Sequence, residues 1–236
     1  MYASLSLKRL SSFLGVTFGL ALVLMLLFRG MPSDLGDWFR TFSLTLTCWS
    51  LTLIALVGWS GKLSPWRGLW YVFPQLNHWV FPDLNGKWMG TAESNWTVIE
   101  TLISAAERKR AKIERDDLAA IPLKSVVIEL QVWASLFTFR IRAKLEDTKG
   151  ISHSLTERVQ KDEARDTFEL YYVYLQHTPQ PQLTDEASHP GAARLDIDIE
   201  NWAMAGEYWN RRSWRSGFNA AGLLSVRRAN RGGWFK

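Results

Sequence analysis

Two charge-free runs open the chain, from Leu10 to Phe28 and from Thr41 to Gly61. A bilayer-spanning helix needs about 20 apolar residues, so both runs are long enough. The first exceeds the roughly 7–15 residues of a secretory signal core. No small-x-small cleavage site follows it; Arg29 comes next, and then the second run. The pattern predicts a two-helix transmembrane hairpin over residues 1–62. After Asp83 the period becomes two. Val126, Ile128, Leu130 and Val132 alternate with polar residues, as do Phe137, Phe139, Ile141, Ala143 and Leu145, and later Leu195, Ile197 and Ile199. Such alternation marks antiparallel strands with one buried and one wet face. A first strand at 87–92 and weaker ones at 151–159, 168–176, 206–212 and 219–228 bring the number to about eight. Eight strands can close into a lipocalin-like barrel whose interior holds at most a small ligand.

Two segments break the alternation. Residues 63–82 carry Trp66, Trp70, Tyr71 and Trp79 among Pro65, Pro74 and Pro82. Amphipathic rings favour the headgroup layer and the prolines exclude one long helix, so this reads as an interfacial linker lying along the membrane. Thr97 to Leu118 lacks Gly and Pro and favours helix, an insert between the first two strands. A lid and a solvated surface helix both fit it. The soluble β domain, with this insert, spans residues 83–236.

Charge sets the orientation. Lys8 and Arg9 precede the first span, Lys62 and Arg67 follow the second, and Arg29 and Arg40 lie between, which favours cytoplasmic N- and C-termini. The single cysteine, Cys48, falls in the second span, so no disulfide framework exists within one chain. The net charge of +5 is uneven. Residues 83–207 hold 15 basic and 21 acidic residues, whereas seven basic residues and no acid follow Tyr208. DNA or RNA binding would call for a broader basic surface. Anionic lipid, or a small anion, fits the basic end better.

The four histidines are scattered, with no helical metal pair and no cysteine cluster, so no metal site is expected. GxSxG, P-loop and GxGxxG motifs are absent. In Ser152-His153-Ser154, neighbours on a strand face opposite ways, so serine and histidine cannot readily pair. No catalytic residue is assigned, and the chain reads as a binding protein, not an enzyme. If Tyr208 faces inward, Asn210 and Arg212 share its face. An aromatic, an amide and a guanidinium could stack a base, read its edge and hold a phosphate. A sheet surface with arginine paired to carboxylates fits the same spacing. In the second span Thr45, Ser50 and Thr52 are hydroxyls able to bond across helices, or back onto their own helix.

Several ordered segments carry a resemblance. They are Leu84-Asn85-Gly86-Lys87-Trp88-Met89-Gly90, Ser94-Asn95-Trp96, Val132-Trp133, Ser152-His153-Ser154 and Tyr172-Val173-Tyr174. His189 to Leu195, Gly206 to Arg212 and Gly222 to Arg227 complete the set. Behind a two-helix anchor, this order resembles the two-transmembrane, β-strand-rich effectors of bacterial cyclic-oligonucleotide anti-phage signalling (CBASS). The resemblance implies a barrel that binds a cyclic dinucleotide made by a CBASS nucleotidyltransferase. It further implies homo-oligomerisation in the bacterial inner membrane, membrane disruption and cell death. It adds Ser94, Asn95 and Tyr172 to Tyr208, Asn210 and Arg212 as candidate ligand contacts; no cofactor is implied. Asn210 stands where the family pattern leads one to expect Thr. Trp88 and Trp96 are expected to pack the barrel. A membrane-tethered lipocalin-like carrier of lipid or another hydrophobic ligand is the alternative.

Overall fold

The computed structural model describes residues 7–57, 65–107, 113–135, 138–146, 149–179, 181 and 186–229. Lys62, Ser60, Phe137, Lys236 and the middle of the insert (108–112) lie outside them. Two helices come first, α1 (Leu7–Arg29) and α2 (Leu35–Val57). Ser11–Arg29 is long and apolar enough, by length and composition, to cross a bilayer. In α2, Asp37 and Arg40 occupy the first turns and six hydroxyls follow by Thr52, and among the described residues Ser11–Arg29 is the one helix that meets the length and composition of a span. The helices pack together through Phe18, which meets Phe42 and Trp49 edge-on. The Trp49 indole donates to Thr17 Oγ1 (3.2 Å).

Two short helices follow, α3 (Pro65–Val72) and α4 (Leu76–Trp79). Here the expectation of lipid-facing indoles is corrected in part. Trp66 and Trp70 are buried against Phe81, and the Trp70 indole donates to the Phe81 carbonyl (2.8 Å). Tyr71 and Trp79 remain exposed. Arg67 pairs with Asp83 at 2.9 Å and holds this segment to the start of the barrel.

Eight antiparallel strands then close in simple chain order, with β8 returning to β1. They are β1 (Gly86–Ser94), β2 (Lys124–Ala134), β3 (Phe139–Leu145), β4 (Ile151–Asp162), β5 (Thr167–His177), β6 (Ser188–Asp198), β7 (Ala203–Asn210) and β8 (Ala221–Arg228). Alternate positions fill one half of the interior: Trp88, Leu130, Phe168, Leu170, Leu195 and Met204 are all sealed from solvent. Burying each such side chain stabilises the fold by about 1.5–3 kcal/mol. Trp88 packs the core as expected. Arg228 lies over Trp202 (4.1 Å) and Trp88 (5.2 Å) and donates to the Asn85 carbonyl (2.7 Å), which closes this end. The Asn85 amide acts as one further strand position, since its Nδ2 donates to the Ala134 carbonyl and its Oδ1 accepts the Ala134 N–H.

Three boundaries differ from the periodicity. The strand expected over 194–200 starts at Ser188 and stops at Asp198, whose carboxylate accepts both the backbone and the side-chain N–H of Asn201 and so starts the turn. The strand expected over 206–212 runs Ala203–Asn210 instead. Arg211 N–H donates to the Pro190 carbonyl, and Ser213 takes a left-handed φ of 39°, so Arg212 leaves the strand. The described part of the insert holds two helices, α5 (Trp96–Glu107) and α6 (Arg115–Ala119), with residues 113–114 outside either. Asp117 accepts the Glu114 N–H (3.3 Å) at the start of the second.

The strands between them sort the connections by length. Turns 163–166 and 199–202 lie at the closed end with Ser135 and Thr138, and the chain also enters there from α4. The described parts of the insert, of the β3–β4 and β5–β6 connections, and segment 211–220 lie at the other end, the mouth.

Candidate functional site

At the mouth, interior positions turn from large and apolar to small or polar. Ala92 and Ser94 on β1, Ala143 on β3, Ser152 on β4 and Gly191 on β6 replace the Trp, Leu and Phe of the closed half. The result is a cavity of about 550 Å³, in the range of small-molecule sites. The inner face of β5 supplies Tyr172, Tyr174 and Gln176, and β7 supplies Tyr208 and Asn210. Lys124 opens β2, Lys149 stands in the β3–β4 turn, and Arg212 follows β7. Among the described residues, the lining holds these three cations and no carboxylate.

Buried phenols shape its floor. Burial pushes the Tyr172 and Tyr174 hydroxyls above the usual phenol range, so they stay neutral donors in any physiological buffer. Their rings lie 5.8 Å apart. Tyr174 packs where Gly191 has no side chain; a Cβ there would stand 2.3 Å from its Cζ. No group of three or more His, Cys, Asp or Glu side chains able to hold a metal exists among the described residues.

Five of the six candidate ligand contacts line this cavity: Ser94, Tyr172, Tyr208, Asn210 and Arg212. Asn95 does not. Its N–H donates to the Ala221 carbonyl and its Oδ1 accepts the Ala221 N–H (both 3.0 Å), so it joins the end of β1 to β8. Asn210 is half committed in the same way. Its Oδ1 accepts the N–H groups of Ala220 (3.0 Å) and Arg212 (3.3 Å), which leaves only the amide donor for a base edge. Ser152 lines the cavity while His153 faces outward and stacks on His177 at 5.5 Å. Serine and histidine point apart, as strand parity requires.

The expectation for Trp96 is corrected: it lines the cavity rather than packing the core, with the Arg212 guanidinium 3.8 Å over its ring. Lys124, Lys149 and Tyr174 were not singled out from the sequence as contacts. Lys124 is in phase with the inward Val126 and Ile128, so strand parity alone could have found it. Lys149 sits in a turn with φ 51°, where periodicity carries no signal.

On α2, Thr45 is buried, and its Oγ1 donates to the Thr41 carbonyl (2.7 Å). Thr52 is exposed and donates to the Cys48 carbonyl (2.8 Å), and Ser50 is half-buried. Thr45 and Thr52 thus bond back onto their own helix.

Comparison with known proteins follows the same division of the chain. Residues 122–228, from the end of the insert through β8, match the model of the family described as Cap15, cyclic dinucleotide receptor domain. A curated relative, CD-NTase-associated protein 15 of Escherichia albertii, is 30% identical over 185 residues, which covers 78% of this chain and 79% of that protein.

Proposed function

The chain belongs to the Cap15 family of CBASS effectors, and from that premise we propose that its barrel is the cyclic dinucleotide sensor of a membrane-attached effector. One observation carries the reading: the mouth half of the barrel interior is a cavity lined by three cations, neutral phenols and, among the described residues, no carboxylate. A cyclic dinucleotide presents two phosphodiester anions and two flat bases. Lys124, Lys149 and Arg212 offer charge to the anions. Tyr172, Tyr174 and Tyr208 offer faces and O–H donors to the bases. An anion beside a buried carboxylate would pay for the repulsion; here it meets none.

A carrier of lipid would need apolar depth. The half of the barrel below the cavity is filled by Trp88, Leu130, Leu170 and Met204, so an acyl chain has nowhere to extend. This disfavours the lipid reading on volume as well as on charge.

Binding supplies no reaction in this scheme. The nucleotide comes from a CBASS nucleotidyltransferase, and its binding drives protomers together in the inner membrane through the helical hairpin. A pair of helices cannot wall a water-filled pore, so disruption needs several protomers. A ligand favours the assembled state only by binding it more tightly than the resting state. Calorimetry with the full chain in detergent, against cyclic di-AMP, cyclic di-GMP, cyclic GMP–AMP, cyclic UMP–AMP and cyclic di-UMP, tests the first step. Binding of at least one of them, competed by no fatty acid, is the expected result. Absence of binding to all of them, with fatty acid bound instead, would overturn the proposal.

A further inference from the structure

The residue where β1 passes into the insert is Trp96, and it is held on several sides. Its backbone N–H donates to Ser94 Oγ (3.0 Å) and its indole N–H to Glu100 Oε1 (2.6 Å). Phe218 meets its ring edge-on, with centroids 6.3 Å apart. On the cavity side the Arg212 guanidinium lies over it at 3.8 Å, a close cation–π stack.

Arg212 is fixed from its own side. Its N–H donates to Asn210 Oδ1, and the following residue, Ser213, is left-handed and donates its N–H to Glu186 Oε1 (3.0 Å). Three segments of the mouth therefore meet at one stack: the insert, the β5–β6 connection through Glu186, and the β7–β8 connection.

A free arginine loses rotamer entropy when it grips an anion, and a stacked planar guanidinium has already lost part of it. Its tie to the insert also makes the relation mutual. Trp96 is the first residue of α5, and Thr97 Oγ1 donates to the Pro122 carbonyl (2.5 Å), which joins the two ends of the insert. A guanidinium drawn to a phosphate acts on the indole, and the indole starts the helix.

We infer that Trp96 is the positioning residue for Arg212, and that through this stack a cyclic dinucleotide in the cavity steadies the helical insert. The inference rests on the nucleotide reading above. It gives the insert a role that a merely solvated surface helix lacks.

The test uses the full chain in detergent and whichever of the five cyclic dinucleotides named above the wild type binds. Trp96→Leu weakens binding by about tenfold, the range of a desolvated cation–π pair. Trp96→Phe, which keeps an aromatic face, stays within about threefold of wild type. Because both residues act through one stack, Trp96→Leu combined with Arg212→Ala is no weaker than Arg212→Ala alone. Hydrogen exchange over residues 96–107 slows on saturation of the wild type, and does not slow in saturated Trp96→Leu.

Additive losses in the double variant overturn the inference. So does a Trp96→Phe protein as weak as Trp96→Leu, an outcome that also covers a plain folding defect at this site. Unchanged exchange in a wild type that binds nucleotide overturns the link to the insert while leaving the sensor reading intact. A wild type that binds none of the five removes both.

Discussion

Gly191 and Tyr174 face one another across β6 and β5 so closely that a Cβ on Gly191 would stand 2.3 Å from Tyr174 Cζ and 2.4 Å from its hydroxyl. The obstacle is the far end of a side chain, which can swing. At Gly222 it is backbone, since a Cβ there would stand 1.7 Å from the Glu93 carbonyl oxygen. Gly191→Ala should therefore keep the barrel folded, with little change in Tm, but displace the phenol and weaken cyclic dinucleotide binding several-fold. Gly222→Ala should lower Tm sharply, by overpacking that costs about 1–3 kcal/mol or more. Thermal melts beside calorimetry check both, and equal Tm losses would refute the distinction.

Neighbouring arginines should separate cleanly. Arg212 lines the cavity, while Arg211 is exposed and lies over Trp214 at 5.6 Å. Arg212→Ala should weaken nucleotide binding by about tenfold or more, because hydrogen bonds to charged groups contribute roughly 1.5–3 kcal/mol. Arg211→Ala should change it by less than about threefold, as surface substitutions do. Isothermal titration of the two variants decides, and a reversed ranking would refute the assignment.

Charge at the mouth should be additive with distance. Lys124 and Lys149 come from different strands and turns, so Lys124→Glu and Lys149→Glu should each weaken binding and together weaken it further. Both losses should shrink as salt rises, because exposed charges are screened beyond about a Debye length. A binding constant insensitive to both reversals would remove the lysines from the site.

Acid should loosen the barrel at Glu169. On the outer face of β5 this carboxylate accepts from the Tyr171 hydroxyl and from Arg194 (2.6 Å), with Arg165 also paired to it. These hydrogen bonds, Tyr171 first, hold its pKa below the ordinary glutamate value of 4.5, against the opposing effect of burial. A depressed carboxylate stabilises above its unfolded pKa, and that contribution is lost as pH falls through the lower, folded value. Tm should fall on acidification below about pH 4.5. Glu169→Gln should melt lower at pH 7 yet lose less on the way down. Parallel acid titrations of Tm would refute this if the two curves kept a constant offset.

The two N-terminal helices invite two measurements. A reporter active only in the periplasm, fused after Lys236, should stay silent if both termini are cytoplasmic; strong activity would exclude that topology. In α2, Thr45 is buried and Thr52 is exposed. Replacing Ser50 and Thr52 with Leu and Val should reduce ligand-dependent crosslinking and leakage. Thr45→Val should act less on assembly, since Thr45 has no exposed surface to offer. Leakage at the wild-type ligand dose in the Ser50/Thr52 variant would exclude assembly through these hydroxyls.

Local pattern was enough for much of this protein. Period-two alternation marked three strands clearly, and weaker pattern and turn signals the other five, because a barrel wall has one wet and one dry face and side chains on a strand must choose between them. The charge-free run ending at Phe28 marked α1 for the same kind of reason. Parity also put Tyr208 and Asn210 on one face and separated Ser152 from His153, although which way that face points was not local information. Tertiary structure alone decided what these positions do. The Asn95 and Asn210 amides complete a corner around Ala220 and Ala221, and a ladder between residues 126 positions apart leaves no local trace. Trp66 and Trp70 look like headgroup anchors by composition, yet the closed end of the barrel offers them a drier place. Arg212 reaches the cavity only because Ser213 turns the chain, and Trp96 meets it only because the insert and the β7–β8 connection open on the same rim. Periodicity records which face a residue takes on its own strand; which loops converge at the mouth is fixed by how the sheet closes.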